Sequence, residues 1–109
     1  MRPTARPFAL VTGASAGLGA EFARQLAASG HDVMLVARRL DRLEALAATL
    51  RSQGAEAIPL KVDLARMEAR EEIAAALASC GRHVDVLINN AGFSIPNTFA
   101  TTPVACHRV

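Results

Sequence analysis

The sequence predicts an α/β fold: a doubly wound parallel sheet with helices on both faces and strand order 3-2-1-4. Three observations carry this. Short apolar runs alternate with amphipathic stretches along the whole chain. A glycine-rich turn stands between the first apolar run and the first amphipathic stretch. The proline inside the third apolar run falls in the strand that this winding places at the edge.

The elements follow in order. "FALVT", residues 8–12, is a buried strand ended by Gly13. Residues 17–29 form a helix, with Leu18, Phe22 and Leu26 recurring every four residues and Gly30 as its stop. "DVMLVA", residues 32–37, is the second buried strand. Residues 38–53 follow as a helix with Leu43, Leu46 and Leu50 on its apolar face, and Gly54 ends it. "AEAIPLKVD", residues 55–63, is the third strand, and Pro59 suits an edge. Residues 66–80 form a helix with Ile73, Leu77 and Cys80 on one face. "VDVLIN", residues 84–89, is the fourth strand. Strands joined through helices need crossovers, and crossovers favour parallel pairing.

Composition bounds the function. A chain of 109 residues builds one domain with a modest core. Twelve basic residues against ten acidic ones leave +2, too small a bias to argue for nucleic acid or an anionic membrane. No stretch reaches the length of a membrane span. Cys80 and Cys106 form no metal or redox motif. Residues 1–6 read as a disordered lead without a secretory signal, which predicts a cytoplasmic protein.

The glycine turn carries the chemistry. Gly13, Gly17 and Gly19 are spaced G-x-x-x-G-x-G between a strand and a helix. Glycine admits positive φ and close backbone approach. The N–H groups and dipole of the helix start then favour a phosphate, and Ser15 adds a hydroxyl. The alternative is a turn whose glycines serve packing alone. A nucleotide-triphosphatase loop is excluded, because no Gly-Lys-Ser/Thr triplet exists and Lys61 is the only lysine. At the end of the second strand stand Ala37, Arg38 and Arg39. An acidic residue there would hold the ribose hydroxyls of NAD; an arginine accommodates the 2′-phosphate of NADP. S-adenosylmethionine would also want a carboxylate there. The arginines predict NADP(H) over NAD(H), with Arg38 as the principal phosphate ligand. The plainer alternative is a pair of solvated arginines opening a helix, although cations are disfavoured at that end.

With "TGASAGLG", "VDL" at 62–64 and "NNAG" at 89–92, the chain resembles the N-terminal half of the short-chain dehydrogenase/reductase family, Rossmann-fold oxidoreductases that use NAD or NADP. The resemblance covers roughly residues 7–100, and three motifs in the right order make it specific. It implies that Gly13, Ala14, Ser15, Ala16, Gly17, Leu18 and Gly19 cradle the pyrophosphate. It implies that Ser15 and Arg38, with Arg39 beside them, meet the 2′-phosphate. Asp63 and Leu64 would address the adenine, and Asn90, Ala91 and Gly92 the ribose side. Plainer readings are a helix N-cap for Asp63 and an ordinary turn for Asn89 and Asn90.

The family's catalytic tyrosine, lysine, serine and asparagine lie C-terminal to the Asn-Asn-Ala-Gly motif. This sequence has no tyrosine, and its lone lysine sits in the third strand. The domain is therefore read as residues 7–92, with residues 93–109 as a truncated tail in which Thr102 and Pro103 open a helix. Catalysis is expected in sequence beyond Val109, and the substrate stays unknown. A non-catalytic dinucleotide-binding module and an inactive truncated product are the alternatives. With no fifth strand, the fourth is expected as a bare edge, making the chain marginally stable or prone to self-association.

Overall fold

Strands covered on both faces lose the polar-apolar alternation of a half-exposed strand, and the first two here are apolar almost throughout. The computed structural model describes residues 6–15, 17–90 and the backbone of 107–108. The elements are β1 (Phe8–Thr12), α1 (Gly17–Ala28), β2 (Asp32–Ala37), α2 (Leu40–Ser52), β3 (Ala57–Lys61), α3 (Ala69–Cys80), β4 (Val86–Asn89) and β5 (His107–Arg108). The sheet runs β3-β2-β1-β4-β5. The first four strands are parallel, as the crossovers require, and Pro59 lies on the edge strand opposite Leu35.

The pleat divides the core in two. Ala9, Val11, Val33, Leu35, Val86 and Ile88 face α1 and α2, against Ala20, Ala23, Leu43 and Leu50. Phe8, Leu10, Met34, Val36 and Leu87 face α3, against Ile73 and Leu77. Successive residues of each strand thus feed opposite layers. A one-residue slip of register would exchange the two layers.

Two expectations are corrected here. The stripe Leu18-Phe22-Leu26 is not the buried face of α1. Gly19, Ala20, Ala23 and Ala27 are buried, Phe22 and Leu26 pack at the flank, and Leu18 is 61% exposed. Small residues let the helix axis approach the sheet, so the larger side chains are displaced to its sides. The second correction concerns β4. Its edge is not bare: β5 pairs with it antiparallel, Val86 with Arg108 and Leu87 with His107. Edge N–H and C=O groups at those two positions find partners within the same chain. Boundaries also tighten. β3, α3 and β4 each start later than their sequence patterns suggest. Thr102, Pro103 and Cys106 lie outside the described residues.

The amino ends of the strands are held by charge. Asp32 opens β2 and is fully buried. Its Oδ1 accepts the Glu56 N–H at 2.9 Å, and its Oδ2 accepts from Arg82 Nη1 at 3.2 Å. Arg6 Nε stands 2.9 Å from Oδ1 but off the line of its N–H bond, so that contact is ionic. Arg82 also reaches Glu56 at 3.0 Å, donates to the Arg6 carbonyl at 2.7 Å, and lies 4.6 Å from the centre of the Phe8 ring. Beside it, Asp85 exchanges two hydrogen bonds with the Phe8 backbone, at 2.8 and 2.9 Å.

Burial alone would raise the Asp32 pKa. The Glu56 N–H, the Arg82 hydrogen bond and the charges of Arg6 and Arg82 outweigh it and hold the carboxyl below its ordinary value. A depressed folded-state pKa means this stabilisation is complete above about pH 4, the unfolded value, and is lost as pH falls through the lower folded value. Asp32→Ala should therefore cost about 3–5 kcal/mol, because it removes the buried carboxylate that Arg6 and Arg82 both face and leaves Arg82 only Glu56 as a counter-ion among the described residues. Asp32→Asn should flatten the acid limb of the stability curve. Urea unfolding from neutral to strongly acid pH checks both; an unchanged acid limb in Asp32→Asn would contradict the assignment.

Candidate functional site

Gly13 follows β1, Arg38 follows β2, Asp63 lies just past β3 and Asn90 follows β4. All four therefore stand at the carboxyl ends of parallel strands, beside the β1–β4 junction where the strand order reverses. Open α/β sheets bind ligands at such a junction.

Three contacts fix the glycine turn. Gly13 and Gly17 have φ of 67° and 60°, the left-handed region that glycine enters without strain. The Ala14 N–H donates to the Val36 carbonyl at 3.2 Å, tying the turn to β2. Asn90 Nδ2 donates to the Gly13 carbonyl at 3.3 Å, tying it to the end of β4. One residue earlier, the buried Thr12 hydroxyl donates to Asn89 Oδ1 at 2.9 Å, so β1 and β4 are joined twice at this end. Gly19 is needed for space rather than for φ. A Cβ there would overlap the Gly13 carbonyl oxygen and stand 2.8 Å from its carbon and 3.0 Å from Asn90 Nδ2.

Beside this turn lies a cavity of about 310 Å³, lined by Gly13, Ser15, Ala37, Arg38, Arg39, Val62, Asp63, Leu64 and Ala65. The volume is at the lower end of the range for small-molecule sites. The two arginines differ. Arg39 Nε and Nη2 face Asp41 Oδ1 and Oδ2 at 3.4 and 3.3 Å. That hydrogen bonding, ahead of every other influence, holds the Asp41 carboxyl below its ordinary pKa. Arg38 has no hydrogen bond or ion pair among the described residues. Asp63 does not cap α3, which begins at Ala69; its Oδ1 accepts the Ala65 N–H at 3.0 Å and braces the turn beneath the cavity.

Of the residues expected at the site, Gly13, Ser15, Arg38, Arg39, Asp63 and Leu64 line the cavity. Ala14 belongs to the core, fully buried, and contributes through its N–H. Gly17 has open space where a Cβ would stand, Leu18 is exposed, and Gly19 and Asn90 shape the turn. Ala16, Ala91 and Gly92 lie outside the described residues. Val62 and Ala65 line the cavity without having been expected, and Thr12 braces it. A buried threonine at the end of an apolar strand was the available signal for Thr12. The arrangement offers arginine for phosphate and backbone amides for a second anion. Among the described residues no group of acidic, histidine or cysteine side chains could hold a metal, and no helix is long and apolar enough to cross a membrane.

Gly19→Ala should lower stability by about 1–3 kcal/mol through overpacking and weaken dinucleotide binding. Gly30→Ala meets no atom and should act only through its φ of 96°, leaving binding intact. Denaturant melts and ligand titration of the two variants separate these outcomes.

The family model for short chain dehydrogenases matches residues 7–106. A fatty acyl-CoA reductase from Acinetobacter baylyi is 44% identical over 87 residues, covering 80% of this chain and 30% of the reductase. An NADP-dependent 3-hydroxy acid dehydrogenase from Salmonella typhi is 41% identical over 86 residues, 79% of this chain and 34% of that enzyme. The structure of L-sorbose reductase from Gluconobacter frateurii, complexed with NADPH and L-sorbose, superposes with a TM-score of 0.75 at 31% identity, covering 90% of this chain and 36% of that one. The chain thus spans about a third of the length of these relatives. A parallel sheet in the order 3-2-1-4, a glycine turn locked to its neighbours and a family match across nearly the whole sequence lead to one conclusion: the chain belongs to the short-chain dehydrogenase family.

Proposed function

We propose that this chain forms the NADP(H)-binding part of a short-chain dehydrogenase/reductase, and that it prefers NADP(H) to NAD(H). One observation carries the reading: Arg38 lies in the cavity at the end of β2 with no counter-ion among the described residues. A guanidinium without a partner suits a phosphate dianion through paired N–H donors. Ser15, on the same cavity, adds a hydroxyl. Val62 and Leu64 give an apolar wall for the adenine, and Asp63 gives an acceptor for its amino group. The glycine turn and the start of α1 suit the pyrophosphate. Asn90, with Ala91 and Gly92 after it in sequence, would flank the nicotinamide-side ribose.

When bound, NADPH would supply a hydride to a carbonyl, or NADP+ would accept one from an alcohol, in the whole protein. Proteins similar to this chain act on substrates as different as fatty acyl-CoA, 3-hydroxy acids and L-sorbose. This variety supports a cofactor and a reaction class rather than one substrate. In the whole protein the family's acid–base tyrosine and its lysine would move the proton; this sequence holds no tyrosine.

Arg38→Ala should weaken NADPH binding about 10- to 100-fold, the loss of one to two charge-assisted hydrogen bonds, and leave NADH binding nearly unchanged. Calorimetric titration of both cofactors checks this, and an equal loss for both would reject the phosphate role. NADPH should bind within about 100-fold of 2′-phospho-ADP-ribose, a gap of roughly 2.7 kcal/mol, because the described site serves the adenosine half.

A further inference from the structure

The two arginines of the cavity are held in different electrostatic states, and one residue makes the difference. Arg39 is gripped fork-to-fork by Asp41, with two nitrogens facing two carboxylate oxygens at 3.4 and 3.3 Å. Those are the same nitrogens that would grip a phosphate. Asp41 stands in the first turn of α2, two residues along the chain, where a carboxylate also suits the helix dipole. The pair is solvent-exposed on both sides, Arg39 at 58% and Asp41 at 70%. Exposed pairs hold weakly, so ligand arrival can open this one at small cost. What remains after opening is the charge. With Asp41 ionised, Arg38, Arg39 and Asp41 together present one net positive charge to an incoming phosphate rather than two.

We propose that Asp41 is a specificity-setting residue of the cofactor site: it occupies Arg39, leaves Arg38 as the working phosphate ligand, and so moderates the preference for a 2′-phosphorylated ligand. This rests on the reading of the cavity as an NADP(H) site. Asp41 itself touches no ligand. It acts through Arg39 and through its own negative charge near the phosphate.

The test is calorimetric titration of the full 109-residue chain with 2′-phospho-ADP-ribose and with ADP-ribose, which differ only in the phosphate. Asp41→Asn should bind 2′-phospho-ADP-ribose about three- to tenfold more tightly, as expected for removing one charge near a dianion across solvent. ADP-ribose affinity should stay unchanged. The gain should shrink as salt is raised well above physiological strength. It should also shrink in an Arg39→Met background, where no guanidinium is left to release. Asp41→Ser, which keeps a helix-starting side chain without the charge, should behave like Asp41→Asn and guards against a local folding effect. Suppose the unmutated chain prefers 2′-phospho-ADP-ribose and Arg38→Ala abolishes that preference, yet both Asp41 variants bind no more tightly. The Asp41 proposal is then overturned while the NADP(H) reading stands. If the unmutated chain does not distinguish the two ligands, both fall together.

Discussion

The Gly13 carbonyl is where β1, α1 and β4 meet, and the site depends on how closely they meet. Gly19 leaves room for that oxygen on the helix side, and Asn90 donates to it from the end of β4. Because no Cβ stands at Gly19, the start of α1 can close onto the end of β1. The same economy of side-chain volume runs down the helix through Ala20, Ala23 and Ala27, all buried against the sheet. A bulkier face would lift the helix and carry its first turn away from the end of β1. Close approach thus sets both the packing of the domain and the shape of the glycine turn.

The opposite pole of the sheet is organised by charge rather than by closeness. Asp32, Arg6, Arg82 and Glu56 bind the amino ends of the strands into one network, capped by Arg82 over the Phe8 ring. Its charges are matched internally, so it stabilises without offering a ligand site. At the carboxyl pole the balance is left open: Arg38 carries a charge that nothing among the described residues neutralises. One sheet therefore separates a pole that holds the fold from a pole suited to hold a cofactor. Stability and binding should respond to different substitutions.

Much of this was legible in the residues. β1 and β2 fall where their apolar runs do, because strands buried on both faces write themselves as unbroken apolar sequence. The edge position of β3 followed from the common winding and agrees with Pro59; the cavity residues Gly13, Ser15, Arg38 and Arg39 followed from the spacing around the glycine turn, and Asp63 and Leu64 from the family resemblance. The buried face of α1 did not, since a period of four through Leu18, Phe22 and Leu26 looks more hydrophobic than a row of alanines. The antiparallel β5 was illegible because a two-residue strand has no periodicity to read. The sequence singled out Arg38 over Arg39, but not the pairing of Arg39 with Asp41, which depends on where Asp41 places its carboxylate.

The central claim is that a 2′-phosphorylated dinucleotide sits at the carboxyl pole, across the glycine turn and the end of β2. Titrating isotope-labelled chain with NADPH and following each backbone amide by nuclear magnetic resonance tests it most directly. Saturable shifts should centre on Gly13, Ser15, Gly17, Arg38, Asp63 to Ala65 and Asn90, while Asp32, Glu56 and Asp85 at the other pole stay still. Shifts concentrated at the amino ends of the strands, or none at millimolar NADPH, would contradict it.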